Sequence, residues 1–483
     1  MNQSYSIVKK SLDSHSWIGL LVSVLMYIIC LSGTLCVFYP EFQRWEKAHV
    51  QASPTLNIAA LEHALNNAIS DTSIATDHMY AYLPTNDRPF LSVGNQNQDW
   101  YVDSKGNMTD QVESKWTDFL IDMHVYLTVP SSLSLIVVST LGAMLSALII
   151  SGFLAHPRIL KDAFKLRLGS GSRLEQVDIH NRLSVWGVPF YLLIAITGAY
   201  FGLALPLLGA ISIVTGKDPV AIQASVFGEE PTINLGGPLN LESTFQEMKE
   251  IAPESEPFRL IIHNAGKTSQ FIEIMARHSQ RLIRSENYRF DAMGNYLGKV
   301  GFSDGEVGRQ IIYSMNNLHF GHFAGYVSKV IYAALGLALT VISVTGVNIW
   351  LRKRNNRDQI NQLWIGVVWG VPLSLLMAMF TGLALDFVSV QLFWLSLVAV
   401  LAFSVIVNEE LKCRTRLQVA NIILLAVVLS THVVIFRSAA FTGAPLIINT
   451  ILISCMLTIF ATVLRTESNQ FSEPFSNANS IQN

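Results

Sequence analysis

Charged side chains are scarce in this sequence: Asp, Glu, Lys and Arg make up 14% of 483 residues, where an ordinary soluble domain carries roughly 25%. The deficit is concentrated in eight uncharged runs, at 17–38, 125–155, 183–215, 330–351, 363–385, 387–408, 417–436 and 438–464. A helix rising 1.5 Å per residue needs about 20 residues to cross about 30 Å of hydrocarbon, so each run is long enough to span a bilayer. Basic blocks are also wanting. With a net charge of −2 and no long run of Lys and Arg, the chain lacks the electrostatic footprint of a nucleic-acid binder. Only four cysteines occur; Cys30, Cys36 and Cys455 fall in apolar runs and Cys413 in a basic stretch that reads as a loop. Neither C-x-x-C-H nor C-x-x-C is present, which excludes covalent c-type haem attachment and the commoner thiolate metal sites, and no disulfide is expected. The first apolar run has no small-residue cleavage site and reads as a retained helix rather than a removed signal.

The charges that are present orient the chain. Lys9 and Lys10 precede the first run, and Arg158, Lys161, Lys165, Arg167, Arg173 and Arg182 follow the second. Arg352, Lys353, Arg354 and Arg357 follow the fourth, and Lys412, Arg414 and Arg416 the sixth. Short basic loops stay on the cytoplasmic side, so both termini are expected there. The segment 39–124, with five basic residues against twelve acidic ones, belongs on the outer side, as does 216–329 by alternation. Both outer segments carry the same succession. An amphipathic stretch (56–69, 241–251) precedes short strands (79–83 and 100–102; 258–262, 270–275 and 288–290), then a turn, Asp103-Ser104-Lys105-Gly106-Asn107 or Asp291-Ala292-Met293-Gly294-Asn295. The expected fold class is an all-α polytopic membrane bundle of about eight transmembrane helices with two small outer α/β domains. Its expected parts are a first helix (1–38), outer domain 1 (39–124), helix 2 (125–155), a cytoplasmic loop (156–182), helix 3 (183–215), outer domain 2 (216–329), helix 4 (330–351), a four-helix extension (361–465) and a cytoplasmic tail (466–483).

The shared succession points to an internal two-fold repeat over roughly the first 350 residues. Asp13-Ser14-His15 opens the first helix and Asp178-Ile179-His180 the third, and Gly33 follows His15 at the same interval as Gly198 follows His180. His124 stands ahead of Gly152 by an interval only one position longer than that of His319 ahead of Gly346. The last four helices show no such pattern.

Ionisable groups at membrane depth are costly and mark function. Related helices would bring His15 opposite His180 at the cytoplasmic edge and His124 opposite His319 at the outer edge. Two facing imidazoles are what six-coordinate b-type haem requires. Gly19, Ser32, Gly33, Gly142, Gly198, Gly336 and Gly346 are small enough to admit a flat macrocycle, or equally to let helices pack closely. His124 and His156 would be about 48 Å apart along an unbroken helix, so two sites are expected. His156 has no counterpart, since Trp350 occupies the matching position; it is an alternative inner ligand. His322, one turn beyond His319, is an alternative outer ligand or a residue near the substrate. His432 lacks a histidine partner and is expected to hydrogen-bond within its bundle, and His49, His63, His78, His263 and His278 lack metal-ligand spacing.

The stretch 13–39, Ser151-Gly152-Phe153-Leu154-Ala155-His156-Pro157-Arg158, Asp178-Ile179-His180-Asn181-Arg182, and Leu318-His319-Phe320-Gly321 through Thr345-Gly346 and Trp350 to Arg354 together resemble the PepSY-associated transmembrane family, over roughly residues 5–357. That family includes inner-membrane proteins that reduce ferric siderophores through haem. The resemblance implies haem b, about two per chain, held by membrane-edge histidines, and it supports His15, His124, His156, His180 and His319; it does not set their pairing. It also implies a multi-pass protein of the bacterial inner membrane whose outer domains are periplasmic and PepSY-like. Some members carry a fused flavin reductase domain, but no G-x-G-x-x-G follows a strand in this sequence, so a separate cytoplasmic reductase or the quinol pool is the expected electron donor. The function expected is reduction of a ferric siderophore or other ferric chelate in the periplasm. Trp100, Tyr101, Trp116, Tyr288 and Tyr296 are available as docking aromatics or as core. A non-catalytic regulator binding a periplasmic protein, or a transporter using Asp386 and Arg437 in the last four helices, are the alternatives.

Overall fold

The structure, a computed structural model, describes residues 2–472 apart from 51, 52, 54, 130, 166, 168–172, 230, 234, 235, 280, 303, 304 and 355. The expected tail therefore lies, from 473 on, outside the described residues. In chain order the elements are α1 (Asn2–Cys36), α2 (Tyr39–Glu46), α3 (Ile58–Ser70), β1 (His78–Tyr82), β2 (Ser92–Gly94), β3 (Asp99–Val102), β4 (Met108–Gln111), α4 (Lys115–Tyr126), α5 (Ser132–Ala155), α6 (Ile159–Asp162), α7 (Arg173–Trp186), α8 (Val188–Thr215), α9 (Pro219–Phe227) and α10 (Leu241–Ile251). They continue with β5 (Ser255–His263), β6 (Phe271–His278), β7 (Glu286–Asp291), β8 (Tyr296–Val300), α11 (Val307–Phe320), α12 (Gly325–Arg354), α13 (Gln359–Leu385), α14 (Val390–Val407), α15 (Glu410–Phe436) and α16 (Gly443–Ser472). Among the described residues eight helices are long and apolar enough to cross a membrane, one for each uncharged run. The protein is thus a mostly helical, multi-pass membrane bundle with a sheet region.

The chain divides into two units. One takes in residues up to Val50, Ser114–Ala195 and everything from Ile331; the other takes in the intervening segments. In the second unit the strands expected as two separate domains form one antiparallel sheet, ordered β4-β3-β2-β1-β5-β6-β7-β8. Each four-strand set on its own would leave a bare edge strand, with a row of unsatisfied N–H and C=O groups. Here β1 pairs with β5, from His78↔His263 to Tyr82↔Arg259, which satisfies both edges. One face is closed by α3 and α10, whose Leu61, Leu65 and Met248 pack with Met79, Ala81, Leu260, Ile262 and Ile274. Burial of that apolar surface, at about 25 cal/mol per Å², holds the layer together.

The two expected turns are built alike. Asp103 Oδ1 accepts from the backbone N–H groups of Lys105 and Asn107, and Asp291 Oδ1 from those of Met293 and Asn295. Gly106 and Gly294 have φ of +89° and +94°, where a side chain is strained. A Cβ there would also come within 2.6 Å of Ala60 O and 2.7 Å of Thr244 N, so each glycine lets its turn rest on a helix.

In the first unit His15 lies within the unbroken α1, but the second expected helix is interrupted. His124 lies on α4, separated from α5 by Leu127 and Thr128, both at positive φ, and Ser131 caps α5 by accepting from Ser134 N. The rise of about 48 Å assumed from an ideal helix between His124 and His156 therefore does not apply. Cys413, read as a loop residue, is buried within α15. The C-terminal helices α13 to α16 form a core with α1, α2 and α4 through Trp45, Trp116, Leu120, Val371, Met379 and Val428. Tyr27 Oη donates to Val368 O at 2.7 Å.

Candidate functional site

Each of the four repeat histidines rests on a hydroxyl-glycine pair of a neighbouring helix. His15 Nδ1 is 3.0 Å from Leu148 O and 3.2 Å from Ser151 Oγ. His124 Nδ1 is 3.1 Å from Ile29 O and 3.4 Å from Ser32 Oγ. His180 Nδ1 is 3.1 Å from Thr345 Oγ1, with a further bond to the backbone of Ile342. His319 Nδ1 is 2.8 Å from Thr197 Oγ1. The residue after each hydroxyl is Gly152, Gly33, Gly346 or Gly198, and a Cβ built there would stand 3.3, 2.6, 3.4 or 3.3 Å from the Cε1 of the same histidine. The glycine is what lets the ring lie against the helix.

This contact assigns the ring protons. Ser32, Ser151 and Thr345 each donate their hydroxyl hydrogen to a carbonyl of their own helix, Ile28, Leu148 and Val341, so toward histidine the hydroxyl oxygen accepts. The carbonyls of Leu148 and Ile29 can only accept. In His15, His124 and His180, Nδ1 therefore carries the hydrogen and Nε2 the lone pair. A ring N–H held by a carbonyl or hydroxyl is the arrangement that fixes a metal-ligating imidazole in one tautomer and orientation.

His15 and His180 lie side by side, with ring centroids 6.4 Å apart and planes at 86°. Two imidazoles this close could both reach one bound group. The residues present thus suit the group that the sequence implies, and His15 and His180 would hold it at this edge. His124 and His319 each have the same tether and are the other two candidates.

His156 and His322 differ. His156 caps α5, and its Nε2 is 3.3 Å from Asp162 Oδ2. His322 follows α11 and stacks on Phe320 at 5.7 Å. Burial, then Lys329 and Arg277, push its pKa down to about 4. Neither rests on a hydroxyl-glycine pair. Of the glycines singled out by size, Gly336 lies against Thr34 and Gly19 against Leu148, the helix-packing use of a small residue. Trp116 and Tyr288 are core residues, 2% and 5% exposed, whereas Tyr296 is exposed. What sequence reasoning missed is the pairing of each histidine with a hydroxyl; its signal was there, since Ser32-Gly33, Ser151-Gly152, Thr197-Gly198 and Thr345-Gly346 share one form.

His432, fully buried, stacks on Trp45 at 4.4 Å. Its Nε2 donates to Trp45 O at 3.1 Å and its Nδ1 accepts from Asn449 Nδ2 at 3.2 Å. Both ring nitrogens are used in joining α15 and α16 to α2.

A protein of Pseudomonas aeruginosa described as uncharacterized is 27% identical over 251 residues, which cover 49% of this chain and 64% of that protein. The chain thus spans somewhat less than two thirds of that relative. The family model described as the PepSY-associated TM region matches residues 12–353, the stretch that contains all four tethered histidines. The chain belongs to the PepSY-associated transmembrane family.

Proposed function

We propose that this protein is a di-haem b oxidoreductase of a bacterial inner membrane, which passes electrons outward to reduce a ferric siderophore or similar ferric chelate in the periplasm. The observation that carries this reading is the fourfold recurrence of a histidine whose Nδ1 is tied to a hydroxyl-glycine pair, with His15 and His180 close enough to reach one bound group. Haem iron, when bound, supplies one-electron transfer. The chain's own part is to hold the imidazoles in one tautomer and to exclude water. His124 and His319 are the proposed outer ligands and His15 and His180 the inner ones. His322, held neutral by burial beside Lys329 and Arg277, lines the path to the outer site. Iron reduced to Fe(II) is held less tightly by hard oxygen donors, so reduction releases it. A cytoplasmic reductase or quinol supplies the electrons.

The test is spectroscopic. Purified protein in detergent should show a Soret band, and pyridine haemochrome should report about two haems per chain, extractable with acid acetone. Dithionite-reduced protein should be reoxidised by ferric siderophore, with ferrous iron appearing in a ferrozine trap. A colourless, folded protein would end the proposal in favour of a regulator that binds a periplasmic protein. A haem-loaded protein that no ferric chelate reoxidises faster than buffer would end the reductase assignment.

A further inference from the structure

The sheet has a second face, and at its centre the two halves contribute a set of side chains that the haem reading does not use. Helices α3 and α10 seal the side of Met79, Ala81, Leu260 and Ile262. On the other side, His78 pairs with His263 and Tyr82 with Arg259, and all four, with Tyr80, are only half-buried. The Arg259 guanidinium lies 4.6 Å from the centre of the Tyr80 ring and 5.0 Å from that of Tyr82, and the Arg88 guanidinium lies 4.9 Å from Tyr82. The two histidine rings meet edge-on at 5.0 Å, and His263 stacks on Phe271 at 4.3 Å. Among the described residues, Arg259 Nε and His78 Nδ1 are buried without a hydrogen-bond partner. Two carboxylates share this side: Glu273 on β6, engaged by Arg289 at 2.8 Å and by Asn287 at 2.9 Å, and Asp99 on β3, whose pKa burial raises while Arg88 and Arg259 draw it back down, which leaves one of those two guanidinium charges in excess.

We infer that this face is a binding site for a small anionic arene whose ring carries paired oxygen donors, of the catecholate or salicylate kind. A guanidinium presents N–H groups in a planar fork that matches two neighbouring oxygens. Stacked on Tyr80 and Tyr82, Arg259 is held flat, so little side-chain freedom is lost when a ligand arrives. The Arg259 Nε–H is a buried donor without an acceptor among the described residues, a cost that an anionic oxygen reaching it would offset. The half-buried tyrosines offer aromatic edges to the ring. An extended peptide would be expected at the edge strands β4 and β8 instead. A metal is disfavoured because the described residues hold no group of three ligating side chains around the two histidines. The inference deepens the proposed function, on which its biological sense rests: the ferric chelate would be one with aryl-oxygen ligands.

The experiment is calorimetric titration of the full-length protein in detergent with 2,3-dihydroxybenzoate, using wild type, Arg259→Gln, Arg259→Lys and Tyr82→Leu, with thermal melts alongside. Wild type should bind saturably, and Arg259→Gln should weaken binding by about tenfold, the loss expected for charge-assisted hydrogen bonds. Arg259→Lys should fall between, because it keeps the charge and loses the fork. Absence of binding by folded wild type, or equal binding by all four, would overturn the site. If Arg259→Gln and Tyr82→Leu do not fold, Arg259→Lys decides: wild-type affinity overturns the site and reduced affinity supports it. The readout needs no haem. Binding that depends on Arg259 in a protein without a Soret band would retain this site and discard the reductase, whereas ferric-chelate reduction indifferent to Arg259→Gln, without dihydroxybenzoate binding, would do the reverse.

Discussion

His180 and His432 are both imidazoles within the helical unit, yet their surroundings set them apart. His432 has a donor or acceptor on each ring nitrogen and an indole against its face. His180 is tied through Nδ1 to Thr345, lies against Gly346, and has His15 as its neighbour at 6.4 Å. A ring fixed at both nitrogens is a joint between helices. A ring anchored at Nδ1 and backed by a glycine is held in one orientation, as a metal-ligating imidazole is. The C-terminal four helices thus contribute docking, and the chain up to the end of α12 contributes the repeated histidine device.

The sharpest way to break this contrast is to remove each ring. His180→Ala should lower haem content from about two per chain to about one, read by pyridine haemochrome, while His432→Ala should leave it unchanged. Equal haem loss in both variants would show that the two rings are not different in kind. His432→Ala should instead cost about 3 kcal/mol of stability, since it opens a cavity against Trp45 and leaves Asn449 and the Trp45 carbonyl short of partners. A thermal melt in detergent reads that loss, and a melting temperature equal to wild type would refute it.

A smaller effect separates glycines that back a ring from glycines that pack helices. Gly33→Ala places a methyl 2.6 Å from His124 Cε1, so the ring must shift, and part of the outer haem signal should be lost with the fold intact. Gly336→Ala meets Thr34 at 2.7 Å and should lower the melting temperature without changing the haem ratio. Reversed outcomes would assign the glycines the other way.

The smallest effect concerns α2, which bears on both regions. Trp45 meets His432 and Asn449, while the Glu46 carboxylate accepts from the N–H groups of Trp116 and Thr117 and from the Thr117 hydroxyl, at the start of the helix that carries His124. Burial outweighs these donors and pushes the Glu46 pKa up to about 7 from 4.5. An acid raised on folding binds more protons when folded than when unfolded, so its contribution is full below about 4.5 and is lost as pH rises through about 7. Glu46→Gln should flatten the fall in melting temperature across that window; an unchanged slope would show that Glu46 does not titrate there.

Much of this was legible before any fold was known. The eight spans follow from uncharged length, because hydrocarbon tolerates few charges, and the matched histidine-to-glycine intervals led to the four tethered positions. The paired turns at Asp103 and Asp291 were visible because glycine at positive φ and Asx side chains are local chemistry. The helix break at Leu127 and Thr128 was not, since hydropathy runs straight through a short interruption. Nor were the single sheet and its arginine-tyrosine face. Strand register pairs residues far apart in sequence, and nothing in His78 or Arg259 announces a partner in the other half of the sheet. The sequence by itself determined where the chain enters hydrocarbon and which histidines recur, because both depend on local composition and period. Only the tertiary structure decided which hydroxyl holds which ring and that two half-sheets share one edge, because those contacts depend on how distant segments satisfy each other's buried polar groups.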